Sequence, residues 1–144
     1  MDSFDAPTII NHIRNSIEDC ITLEKVDYYF ADNGITYIVF KKHNQIELSD
    51  SLKEYEKLKK RSEIFPLSLI LLIEPLVTVS SEVINFWTYG EGSKLIKSEA
   101  IVSNDLGLKI SMIPVNRELD NIPFALKIFD SIEAAEKWTL HQLI

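Results

Sequence analysis

The stretch Pro66-Leu67-Ser68-Leu69-Ile70-Leu71-Leu72-Ile73 decides the fold class. It is an almost unbroken apolar run that starts at a proline. A half-exposed strand would alternate apolar and polar positions, so a run of this kind reads as a strand covered on both faces. It is the expected central strand of a sheet. The longer apolar region from Ile64 to Val79 is interrupted by Pro66, Glu74 and Pro75. It falls short of the ~20 residues that cross a bilayer.

Upstream of this strand, a helix is expected to begin near Ser49 to Ser51, where Ser51 and Glu54 have capping-box spacing. Leu48, Leu52, Tyr55 and Leu58 form its apolar stripe, and Glu56 precedes Lys60 by four residues, the favourable order for a surface ion pair. The helix should end around Ser62. Further back, Leu23–Phe30 and Ile35–Phe40 are rich in β-branched and aromatic residues. They flank Asp32-Asn33-Gly34, which tolerates positive φ, and together they read as a β-hairpin. Residues 8–20 space Ile9, Ile10, Ile13 and Ile17 three or four apart, with Asn11, Arg14, Asn15 and Glu18 between them. That is the pattern of an amphipathic helix, an extension over residues 1–20 ahead of the main domain.

Downstream, Val77–Val79 leads into Ser80-Ser81-Glu82, where a hydroxyl can cap a helix and the acid suits the positive end of its dipole. Val83, Ile84, Phe86 and Trp87 are that helix's expected buried face, and Gly90 and Gly92 end it. A second short helical stretch including Leu95 and Ile96 precedes a buried strand at Ala100–Val102. Residues 106–113 fit two patterns. Leu106, Leu108, Ile110 and Met112 alternate like a strand, while Leu106, Ile110 and Ile113 share one helical face. Pro114–Pro123 reads as an exposed loop and Ala125–Phe129 as the last strand. A final helix is expected, with Asp130 as its cap, Glu133 at the reciprocal position, and Ala134, Ala135 and Trp138 facing inward. Strands alternating with helices require helical, right-handed crossovers, so the expected class is a single α/β domain over 1–144 with a mixed sheet and an N-terminal hairpin.

At 144 residues the chain has the size of one domain, and its 46% hydrophobic and 26% charged content is that of a folded protein. Its 22 acidic residues against 15 basic ones give a net charge of −7, which repels a phosphate backbone and argues against nucleic acid as partner. Cys20 is the only cysteine, so no internal disulfide is possible, and a reducing cytosol suits the chain. Met1–Ile10 lacks the basic start and apolar core of a signal peptide, which makes a cytoplasmic location without membrane insertion the expectation.

The C-terminal half carries a family resemblance. Ala100-Ile101-Val102-Ser103-Asn104, an apolar helix-like stretch, then Pro123, Ile128-Phe129, Glu133, Ala134-Ala135 and Trp138 resemble a family of uncharacterised bacterial proteins. These have the STAS and CRAL-TRIO-like fold shared with anti-sigma factor antagonists. The resemblance covers about residues 22–143, best over 98–140, and rests mostly on core and capping positions. It implies a fold rather than an activity. It also implies a helix at 106–113, and a regulatory role for a serine that starts a helix after a buried strand, the place Ser80 and Ser81 occupy. Such a serine is phosphorylated by a partner kinase in anti-sigma factor antagonists. A phosphate there would be held by helix N–H groups and would repel an acidic surface. This sequence departs from that motif at Val79, where an aspartate stands in those proteins, and at Glu82, where they have a glycine. Asn104, inside the matching segment, is a third regulatory or ligand candidate.

Catalytic constellations are missing from the pattern of residues. His12, His43 and His141 lack metal-ligand spacing. Cys20 reads as a buried, inert thiol, since a nucleophile would need a nearby base. Gly90-Glu91-Gly92 lacks the strand and lysine of a phosphate loop and reads as a turn. The carboxylate pairs Glu54/Glu56 and Glu133/Glu136 read as solvated helix faces, and the basic run Lys57, Lys59, Lys60 and Arg61 is diluted by acids. The expectation is a non-enzymatic protein-interaction or regulatory domain without metal or cofactor, self-associating as a homodimer. Excess aromatic residues among Tyr28, Tyr29, Phe30, Trp87 and Tyr89 would mark its interface. The alternative is a small apolar-ligand or lipid carrier of the CRAL-TRIO-like type.

Overall fold

A computed structural model of the chain describes residues 6–41, 44–64, 66–73, 77–103 and 122–143, with side chains from Thr8 onward. In chain order the elements are helix α1 (Ala6–His12), a 3₁₀ turn (Arg14–Ser16), strands β1 (Ile17–Thr22), β2 (Val26–Ala31), β3 (Ile35–Phe40) and β4 (Gln45–Ile46), and helix α2 (Leu48–Ser62). There follow β5 (Leu67–Ile73), β6 (Thr78–Val79), α3 (Ser81–Thr88), a 3₁₀ turn (Glu91–Leu95), β7 (Ile96–Val102), β8 (Ala125–Phe129) and α4 (Ile132–Gln142).

The main sheet has six strands in the order β1-β2-β3-β5-β7-β8. β1, β2 and β3 form an antiparallel meander, and β3, β5, β7 and β8 run parallel. The fold is therefore α/β with one mixed sheet and an N-terminal hairpin, as expected. The β2–β3 turn uses the expected chemistry. Gly34 sits at φ +91°, where a Cβ would be strained, and Asn33 Oδ1 accepts from the Ile35 N–H at 3.0 Å.

β5 is central and parallel to both neighbours. Its side chains alternate: Leu67, Leu69, Leu71 and Ile73 pack with Leu58 of α2 and Val83 of α3, whereas Ile70 and Leu72 pack with Ala135 of α4. The parallel strands advance in one direction across the sheet, so right-handed crossovers put α2 and α3 on the same face. The chain ends, α1 and α4, cover the other face with Ile9, Ile10, Ile13, Ile132 and Trp138. The result is a three-layer sandwich.

Four local expectations are corrected. The helix over 8–20 stops at His12, and Ile17–Cys20 belongs to β1, whose backbone pairs with the otherwise open edge of β2. α2 begins at Leu48, one to three residues before its expected start, and its cap lies one turn before Ser51. Its capping box is Glu47 with Asp50, where Asp50 Oδ2 accepts from the Glu47 N–H at 3.0 Å, and Ser51 and Glu54 turn inward instead. Ser131, not Asp130, caps α4 by accepting from the Ala134 N–H at 3.2 Å, a shift of one residue that exposes Ala134 and buries Ala135. Ile96 opens β7 rather than closing a helical stretch. Of the loop expected at 114–123, Ile122 is buried in the core, while 114–121 and the two-pattern stretch 106–113 lie outside the described residues.

Candidate functional site

The polar features of the described residues gather where the parallel strands end and the helices begin, the position at which open α/β sheets place ligands. The two-stranded ribbon β4/β6 organises this end. β4 runs directly into α2 and β6 directly into α3, and their parallel register pairs Gln45 with Thr78 and Ile46 with Val79. The Ser80 N–H donates to the Ile46 carbonyl at 3.2 Å. Two helices thus start side by side, their N-caps Glu47 and Ser80 abreast and their positive dipole ends aligned.

Each start satisfies its own donors. Ser80 Oγ accepts from the Val83 N–H at 3.3 Å, so its hydroxyl is the helix cap. Ser81, at the first helical position, is exposed. At α2, Lys25 Nζ donates to Asp50 Oδ2 and to the Gln45 carbonyl, both at 2.9 Å, which ties the strand end to the cap. The Asp50 pair raises the Lys25 pKa; Asp50 is held below the usual carboxylate range by Lys25 and the Glu47 N–H, against partial desolvation. Asn104 and His43 lie outside the described residues.

Beneath the start of α2 lies a polar group that sequence reasoning misplaced. Glu54, read above as solvated, is 5% exposed and faces β2, where the Tyr28 hydroxyl donates to its Oε1. Burial pushes its carboxyl up to about 7, with Asp50 adding and Tyr28 and Lys25 opposing. Burial first, then Glu54, keeps Tyr28 protonated well beyond its ordinary range. Ser51, one turn back on the same face, has a buried hydroxyl without a partner among the described residues. A second buried acid, Glu99 of β7, is 8% exposed and is likewise raised to about 7, by desolvation alone. The only available sequence signal for Glu99 was its place two residues before the apolar Ile101 in a buried strand. These acids stand on separate elements, and apart from Tyr28 no hydroxyl or thiol hydrogen-bonds to either among the described residues.

Outside this polar zone α2 and α3 meet in an aromatic seam. Tyr55 and Phe86 contact edge to face at 5.5 Å, and Phe86 and Trp87 do so at 5.0 Å. Gly92 makes room for the indole, since a Cβ there would lie 2.4 Å from Trp87. Leu52 of α2 is 48% exposed, three residues before Tyr55, and Tyr89, the residue that ends α3, is 41% exposed. Of the aromatic candidates, Tyr28 and Phe30 are core, Tyr29 and Trp87 are half-buried and Tyr89 is exposed.

Cys20 is exposed on edge strand β1, which corrects the expected buried thiol. It lines a cleft of about 380 Å³ with Ile10, Asn11, Arg14, Ile17 and Tyr29. Among the described residues no three His, Cys, Asp or Glu side chains are grouped to hold a metal, and no helix is long and apolar enough to cross a membrane. Glu136, also read as solvated, is half-buried and accepts from the Tyr37 hydroxyl at 2.5 Å. No known protein family, curated protein or solved structure matches the chain.

Proposed function

We propose that this chain is a non-enzymatic interaction or regulatory domain of the bacterial STAS-like kind, acting in the cytoplasm through a protein surface and pairing with a second copy of itself. The observation that carries the reading is the α2/α3 seam, where Tyr55, Phe86 and Trp87 pack together half-buried and the same two elements carry the exposed large side chains Leu52 and, at the end of α3, Tyr89. Large aromatic side chains at the centre of a patch supply most of the energy of protein interfaces. On this reading regulation acts at the start of α3. A phosphate on exposed Ser81 would face the first N–H groups of that helix and add about two negative charges to an already acidic chain.

Light scattering over a range of concentrations tests the proposal. The expected result is a dimer that Leu52→Asp converts to monomer without altering the circular dichroism spectrum. A wild-type chain that stays monomeric at every concentration and fails to bind any partner through this seam would sink it. A carrier of small ligands is the second reading, favoured by the cleft beneath α1.

A further inference from the structure

The cleft lies on the sheet face opposite the seam, where α1 and the first 3₁₀ turn pass over β1 and β2. Its volume of about 380 Å³ falls in the range of small-molecule sites, roughly 300–1,000 Å³. The lining divides chemically. Ile10, Ile17 and the Tyr29 ring are apolar and half-buried, whereas Asn11 and Arg14 are exposed at adjacent turns.

Arg14 is the cation that borders this cleft. Like Lys53, Lys57 and Lys127, it has no carboxylate within ion-pair distance among the described residues. A guanidinium presents a planar fork of donors that matches a carboxylate in two parallel hydrogen bonds. The neighbouring electrostatics favour a single charge over a phosphate dianion, because the C-terminal end of α1 and the exposed Glu18 are negative, while Asp19 pairs with Arg61 at 3.9 Å.

We infer that this cleft binds a small monocarboxylate with an apolar chain, its head on Arg14 and Asn11 and its tail against Ile10, Ile17 and Tyr29. The inference rests on the carrier reading and is independent of the self-association proposed above. Cys20, the only thiol, lies in the same wall and serves as a built-in reporter.

The test uses the full chain and three eight-carbon probes: octanoate, octan-1-ol and octylamine. Backbone amide NMR shifts over residues 10–29 follow binding, and the rate at which a thiol reagent modifies Cys20 follows occupancy. Octanoate is expected to shift these amides and slow the labelling, the alcohol and amine to bind more weakly. Arg14→Gln should weaken octanoate binding by about tenfold or more. Arg14→Lys, which keeps the charge and loses the fork, should fall between. Equal binding of octanol and octanoate, unaffected by Arg14→Gln, would overturn carboxylate recognition and leave an apolar carrier. If none of the three probes moves these amides, the carrier reading falls as well.

Discussion

Beneath α2 and α3 the sheet buries carboxyl groups, Glu54 against Tyr28 and Glu99 between the rows of Leu69 and Leu126, while beneath α1 and α4 its fully buried polar side chains are hydroxyls. On that second face Ser68 and Ser98 stand opposite each other in the β5/β7 register, neither Oγ partnered among the described residues, and Thr139 of α4 donates back to the Ala135 carbonyl at 2.7 Å. Small residues there let α4 seat directly on the central strands. The difference separates two costs. A buried acid responds to pH because it can take up a proton, whereas a buried hydroxyl carries a fixed desolvation penalty at every pH.

The largest expected effect breaks the α2 face itself. Leu58→Ala removes a core side chain between α2 and the sheet and should destabilise by about 2–5 kcal/mol in urea unfolding. A loss under ~1 kcal/mol would mean that α2 is not seated as described. The next effect sharpens the contrast through pH. From the ordinary carboxyl range near 4.3 up to about 7, native Glu54 and Glu99 hold protons that the unfolded chain releases. Their raised native pKa makes this part of the stability complete on the acid side of the window and diminishes it as pH rises toward 7. The loss over this window is roughly 3–4 kcal/mol per group, at ~1.4 kcal/mol per unit. Unfolding midpoints at pH 5 and pH 8 should therefore diverge in the wild type and diverge by about half as much in Glu99→Gln, where Glu54 still titrates; an unchanged divergence would show that the Glu99 carboxyl is not desolvated. The smallest effect belongs to the hydroxyl face. Ser98→Ala should be neutral or stabilise by up to about 1 kcal/mol at both pH values, because it removes a buried group that lacks a partner. A clear destabilisation would reveal a hydrogen bond in solution.

These contrasts also mark how far residue patterns carry. The hairpin at Asp32-Asn33-Gly34, the central strand, the Ser80 cap and the last strand at Ala125–Phe129 were legible, because each is set by local backbone chemistry or by an unbroken apolar run. The α2 start was misread because Ser51–Glu54 and Glu47–Asp50 carry the same capping pattern one turn apart, and only the contact with Lys25 and the burial of Leu58 choose between them. Glu54 shares a helical face with buried Ser51 and Leu58, which makes it a buried acid rather than a surface charge. Likewise Ile17 fits a helical stripe as well as an edge strand, and β2's free edge decided it.

By itself, then, the sequence determined the α/β class, the order of the main-sheet strands from β2 onward and of helices α2, α3 and α4 in the described segments, and the overall excess of acid. The tertiary structure decided which carboxyls leave water, that the α2 and α3 starts lie abreast, that Cys20 faces solvent, and that Arg14 borders a cleft. The reason is physical: periodicity and capping act over four or five residues, whereas desolvation and side-chain convergence depend on groups brought together from distant parts of the chain.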